Sequence, residues 1–181
     1  MRLIVVDLEA TCWENQRDYQ RMEIIEIGAV VLEGPEGQVL DEFSAFVRPT
    51  AEPVLSDFCK RLTTIRQKDV DSAPAFPEVF SRFLEWIGQQ PYTWGSWGDY
   101  DKTQFRVDAE RHAIDLPIEF ESHLNLKKAF AKAFSIKPCG MARALSLAGV
   151  PLEGTHHRGI DDAKNIAKLT SLIWPSIKDQ L

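Results

Sequence analysis

Apolar positions along this chain keep two rhythms. Leu3-Ile4-Val5-Val6 is an unbroken apolar run that Asp7 ends. It predicts a strand from Arg2 to about Glu9, buried on both faces. Glu23–Glu33 (EIIEIGAVVLE) predicts a second strand, and Val39–Val47 alternates as a third. The turn signal Gly34-Pro35-Glu36-Gly37 between them predicts a hairpin. Leu55 to about Leu62 reads as a short helix with Ser56 as N-cap. Phe76, Val79, Phe80, Phe83, Leu84 and Ile87 then recur at helical spacing, one face of an amphipathic helix closed by Gly88. Tyr92–Trp97 predicts a fourth strand, and helical patterns follow at 102–113, 126–134, 141–149 and 161–174. This order predicts one α/β domain over residues 1–181, a mixed β-sheet flanked by helices.

Composition narrows the picture. With 44% apolar and 27% charged residues in 181, the chain is neither disordered, collagen-like nor a disulfide-stapled mini-fold. Its 21 basic and 27 acidic residues exclude an overall basic coat for nucleic acid. A local strip survives: Asn125–Leu145 holds Lys127, Lys128, Lys132, Lys137 and Arg143 without an acid. It is either a solvated face or a guide for a phosphate backbone. Cys12, Cys59 and Cys139 lack zinc-site spacing and read as reduced thiols. The first apolar run is too short for a signal-peptide core or a membrane span, so the expected compartment is the cytoplasm.

Three acidic motifs change the picture again. Asp7 and Glu9 sit two apart on a strand and so share one face. Charges ~4 Å apart repel by ~4 kcal/mol at an effective dielectric of 20. Either the pair faces solvent, or a cation such as Mg²⁺ or Mn²⁺ lies between them. Asp101 stands where the fourth strand hands over to a helix and, taken alone, is an N-cap; Asp99 reads as loop or cap. In His156-His157-Arg158-Gly159-Ile160-Asp161-Asp162, each histidine precedes an aspartate by five residues. The apolar stripe Ala163, Ile166, Ala167, Leu169 puts Asp162 nearer the inward side than Asp161.

Together these residues resemble the DEDDh (DnaQ-like) 3′→5′ exonucleases, whose fold is ribonuclease H-like. The matching motifs are Val6-Asp7-Leu8-Glu9, Tyr100-Asp101 with Phe105, and His157 to Asp162-Ala163. The blocks Asp7-Leu8-Glu9-Ala10-Thr11-Cys12, Val47-Arg48-Pro49, Leu55-Ser56-Asp57-Phe58-Cys59 and Gly159–Ala167 resemble the histone-mRNA and siRNA-trimming exoribonucleases and KapD-like bacterial proteins. The resemblance implies that Asp7, Glu9, Asp101 and Asp162 hold two divalent ions, with His157 as general base. It implies stepwise release of 5′-mononucleotides from single-stranded RNA, or DNA, and contact of the 3′-terminal nucleotide with Leu8, Ala10, Thr11 and Trp13. Trp13 either stacks on a base or packs under a loop. Two rival readings stand beside this one. Asp7-Leu8-Glu9-Ala10-Thr11 superficially echoes the D-x-D-x-T loop of haloacid-dehalogenase-type phosphatases. A non-catalytic nucleic-acid-binding module on the nuclease fold is the other.

Overall fold

The computed structural model describes residues 2–16, 18–34 and 36–180. Its centre is a five-stranded sheet ordered β3-β2-β1-β4-β5. The strands are β1 (Arg2–Ala10), β2 (Ile24–Glu33), β3 (Gln38–Phe46), β4 (Thr93–Ser96) and β5 (His123–Asn125). β1–β2 and β2–β3 pair antiparallel, whereas β1–β4 and β4–β5 pair parallel. The sheet is therefore mixed, as the element order predicts. Pro35 of the expected turn lies outside the described residues. β5 has no counterpart in the sequence reading. It is three residues long, half-buried, and opens on a histidine, so it carries no alternation to detect.

Alternation along β1 sorts its side chains to two cores. Ile4, Val6 and Leu8 face a cluster built on α3 (Phe76–Ile87) and on Phe105 of α4 (Tyr100–Arg111). Leu3 and Val5 face the opposite cluster, built on α5 (Leu126–Ala133), α6 (Met141–Ala148) and α7 (Gly159–Leu172). Period two continues past Val5, so Asp7 and Glu9 project on the α7 side, where the apolar run gives out. Ser56 caps α1 (Asp57–Thr63), its hydroxyl accepting from the Cys59 N–H at 2.9 Å. The next short helix, α2 (Gln67–Asp71), is too brief to show a periodicity.

Two glycines bring α7 onto the sheet. Gly28 pairs with Asp7 across β1–β2, and a Cβ there would lie 2.0 Å from the Gly159 carbonyl carbon. A Cβ on Gly159 would come within 3.0 Å of both the Asp7 carbonyl oxygen and the Gly28 nitrogen. Helix backbone thus rests directly on strand backbone, and Asp162 follows one turn later. Among the described residues, no helix is long and apolar enough to cross a membrane. Cys12, Cys59 and Cys139 are free thiols.

Candidate active site

One cleft of about 420 Å³ collects the three acidic motifs. Asp7, Glu9, Asp101, Asp162, His156 and His157 all line it. One carboxylate oxygen from each of Asp7, Glu9 and Asp162 lies within 4.8 Å of the others. Asp101 enters from the α4 side, where its Oδ1 accepts the Leu8 N–H at 2.9 Å. That bond fixes the first turn of α4 to β1 midway between Asp7 and Glu9. Asp162 accepts the His157 N–H at 2.9 Å, and its Oδ2 is 2.9 Å from His156 Nδ1. His157 holds a left-handed backbone, φ 64°, to make that turn.

The electrostatics are unfavourable by construction. Burial, then Asp101, Glu9 and Asp162, hold the Asp7 carboxyl well above the usual carboxylate range. Burial, then Asp162, Glu26 and Asp101, do the same to Glu9. Burial raises Asp101 to about 6 against the opposing bonds from Ser96 and the Leu8 amide. Neither Asp7 nor Glu9 has a hydrogen-bond donor or a cation paired to its carboxylate among the described residues. Oxygen-only donors that repel one another and lack a counter-charge fit a hard divalent cation. Burial and the neighbouring His156 lower His157, which leaves its ring neutral near pH 7.

A second tier of residues holds this arrangement, and the sequence reading missed most of it. Glu26 on β2 is fully buried and accepts from Arg158 Nε and Nη2, each at 3.1 Å, and from the Gly159 N–H at 3.0 Å. This fork ties the histidine loop and the start of α7 to the sheet. Its only sequence signal is one acid inside an otherwise apolar strand, Ile24-Ile25-Glu26-Ile27. Trp97 donates to the Cys139 carbonyl at 2.9 Å, and so holds the segment before α6 against the cleft. Asp99 turns outward to Lys128, 3.4 Å away, and stays out of the cleft.

The expected nucleotide contacts fall in different places. Leu8 belongs to the α3-side core and also borders the cleft, its N–H held by Asp101. Ala10 lines the cleft. Thr11 is turned away, its hydroxyl accepting the Glu23 N–H at 2.9 Å. Trp13 lines an adjoining groove of about 740 Å³ with Tyr19, Phe58, Leu62 and Tyr100. Cys12, Met22, Leu62 and Tyr100 border both spaces, so the groove continues the cleft. The Arg21 guanidinium lies 3.8 Å over the Trp13 ring.

Lys127, in the first turn of α5, lies on the Asp101 side of the site. A Cβ at Gly98 would sit 3.3 Å from its Nζ, so the ammonium lies over the turn that leads to Asp101. It forms no ion pair among the described residues, in contrast to Lys128.

Residues 4–170 match the family model described as Exonuclease. The chain belongs to this exonuclease family. Among curated relatives, ERI1 exoribonuclease 2 of Mus musculus is 32% identical over 98% of this chain. The 3′-5′ exonuclease Snipper of Drosophila melanogaster is 32% identical over 92% of it. The chain spans 28% of the length of the mouse relative and 67% of Snipper. The nuclease domain of 3′hExo, a DEDDh family member bound to rAMP, superposes with a TM-score of 0.91 at 28% identity, covering 97% of this chain and 92% of that one. Escherichia coli exonuclease I in complex with a dT13 oligonucleotide shares the fold, with a TM-score of 0.78 at 12% identity over 99% of this chain and 43% of that one. The mixed sheet with flanking helices is the ribonuclease H-like fold of the DEDDh exonucleases, a group that uses divalent metal ions.

Proposed function

We propose that residues 1–181 work as one exonuclease domain that removes 5′-mononucleotides from the 3′ end of single-stranded nucleic acid. RNA is favoured because the similar curated proteins are named exoribonucleases; DNA is the second substrate. The observation that carries the reading is the meeting of Asp7, Glu9, Asp101 and Asp162 in one cleft beside His157. The four carboxylates would hold two divalent ions, Mg²⁺ or Mn²⁺. Such ions offset the negative charge of the phosphodiester and of the departing 3′-oxygen.

The chain's own residues have separable tasks. Neutral His157 accepts the proton of the attacking water, and the His157 N–H to Asp162 bond fixes its loop against the cluster. The Leu8 and Ala10 backbone borders the terminal ribose, and Lys127 receives a phosphate oxygen on the Asp101 side. The groove of Trp13, Tyr19, Phe58 and Tyr100 receives a base by stacking, which is indifferent to sequence and worth about 1–3 kcal/mol. Thr11 supports the strand end instead of touching substrate. That placement also counts against the phosphatase reading, whose loop threonine would face the phosphate. The non-catalytic reading leaves four mutually repelling acids without a role. The free thiols fit a reducing compartment such as the cytoplasm.

Matched RNA and DNA oligomers labelled at the 5′ end test this function. With Mg²⁺ or Mn²⁺ the label should shorten stepwise from the 3′ end, and EDTA should stop it. Inertness on both polymers with both ions would overturn the reading.

A further inference from the structure

The tandem histidines give the cleft a second donor set, of which the proposed reaction uses His157 and Asp162 but leaves His156 without a task. His156 and His157 stack ring on ring, with centroids 4.0 Å apart and planes 19° apart. A ring nitrogen of each and a carboxylate oxygen of Asp162 lie within 4.8 Å of one another. Only His157 has a task in proton transfer. The side chain of His156 is 41% exposed, open to an ion arriving from solvent.

We propose that His156, His157 and Asp162 form an inhibitory site for a borderline transition-metal cation, Zn²⁺ first. Two imidazoles and one carboxylate match the three-ligand set that binds Zn²⁺ with a fourth position left to water. Nitrogen donors favour Zn²⁺ over Mg²⁺, whereas the acids of Asp7 and Glu9 favour the harder ion. The two sites thus differ in donor chemistry while sharing Asp162. Zn–N bonds are about 2.0–2.1 Å, so the rings must close on the ion. That closure is a rotation of two side chains that are not buried; the backbone beneath them stays anchored by Arg158 and Glu26. The contact between His156 Nδ1 and Asp162 gives way as the ion takes the donors.

Inhibition follows from the sharing. A His157 nitrogen bound to Zn²⁺ cannot accept a proton. An Asp162 oxygen drawn toward the histidines is lost to the carboxylate cluster. The inference rests on the exonuclease reading only for its activity arm.

The test is Zn²⁺ uptake by the full chain in excess Mg²⁺, measured by competition with a chromogenic zinc chelator. Co²⁺ absorption serves as a second readout. Wild type should bind one Zn²⁺ and give the intense visible bands of four-coordinate Co²⁺. His156→Asn keeps a donor near Asp162 but removes the ligand, and should weaken Zn²⁺ uptake roughly tenfold or more. Zn²⁺ inhibition, scored against each variant's own uninhibited rate, should weaken in parallel. His156→Gln repeats the comparison should the Asn variant fold poorly. Equal uptake in wild type and both variants would place zinc among the carboxylates and overturn the proposal. So would weak, six-coordinate Co²⁺ bands or no uptake above Mg²⁺. Absence of nuclease activity would sink the enzymatic reading while the binding arm still decided this one.

Discussion

Glu9 and Glu26 are partners across the β1–β2 pairing, and both are buried. Their surroundings are opposite. Glu26 meets a guanidinium fork and a backbone N–H, so its charge is fully answered. Glu9 meets Asp162, Asp101 and Glu26 itself, and is held well above the usual carboxylate range. Glu23, a few residues away, sides with Glu26. Burial alone would raise it, but the N–H groups of Glu52, Thr50 and Ala51 outweigh that and lower it. The difference separates two uses of a buried acid. Glu26, answered by a guanidinium, is scaffolding, and Glu9, with no cation or donor on its carboxylate among the described residues, is a seat for a cation from outside.

Substitutions on the two sides of this divide should behave oppositely. Glu9→Gln should cut Mg²⁺-dependent turnover by about a thousandfold, near 4 kcal/mol, while the metal-free chain melts no lower than wild type. A large loss of metal-free stability would move Glu9 to the scaffold. Glu26→Gln leaves Arg158 half-buried and unpaired, and should cost about 3 kcal/mol in denaturant unfolding. An unchanged midpoint would break the comparison from the other side.

Acidity sharpens the contrast. The folded value of Asp101 is raised to about 6, above its unfolded value near 4. Its contribution to metal-free stability is therefore full below pH 4 and lost as pH rises toward 6. Glu23, lowered on folding, contributes above its unfolded value and loses that as pH falls. Thermal melts of the chelated protein from pH 4 to 7 should show Asp101→Asn gaining on wild type by a few degrees toward pH 7. Saturating Mn²⁺ should erase the gain, and a gap that ignores both pH and metal would count against the assignment. Smallest of all, Lys127→Ala should raise KM several-fold, hold kcat nearly constant and reduce the salt slope of binding by about 1. An unaltered slope would return Lys127 to the solvated surface.

Much of this was legible in the sequence because local rules agreed with the fold. The run from Leu3 to Val6 wrote β1, and alternation carried Asp7 and Glu9 to one face. The stripe at Ala163, Ile166, Ala167 and Leu169 turned Asp162 inward, where the structure has it, and left Asp161 to cap the Thr155 N–H. What stayed hidden depends on pairs far apart in the chain. Nothing near Glu26 announces Arg158, more than a hundred residues later, and nothing near Gly28 announces that Gly159 must rest on it. The groove at Trp13 and Phe58 forms only when α1 meets the segment after β1. Thr11 reads as a substrate contact by its place in a motif, but its hydroxyl is bound to the Glu23 amide.

The most direct measurement is Mn²⁺ binding to the chelator-treated protein, followed by the spin-resonance signal of the free ion. The carboxylate cluster should take up two ions per chain, weakened sharply by Glu9→Gln and left intact by Lys127→Ala. Failure to take up Mn²⁺, or uptake indifferent to Glu9→Gln, would show that these acids are no metal site.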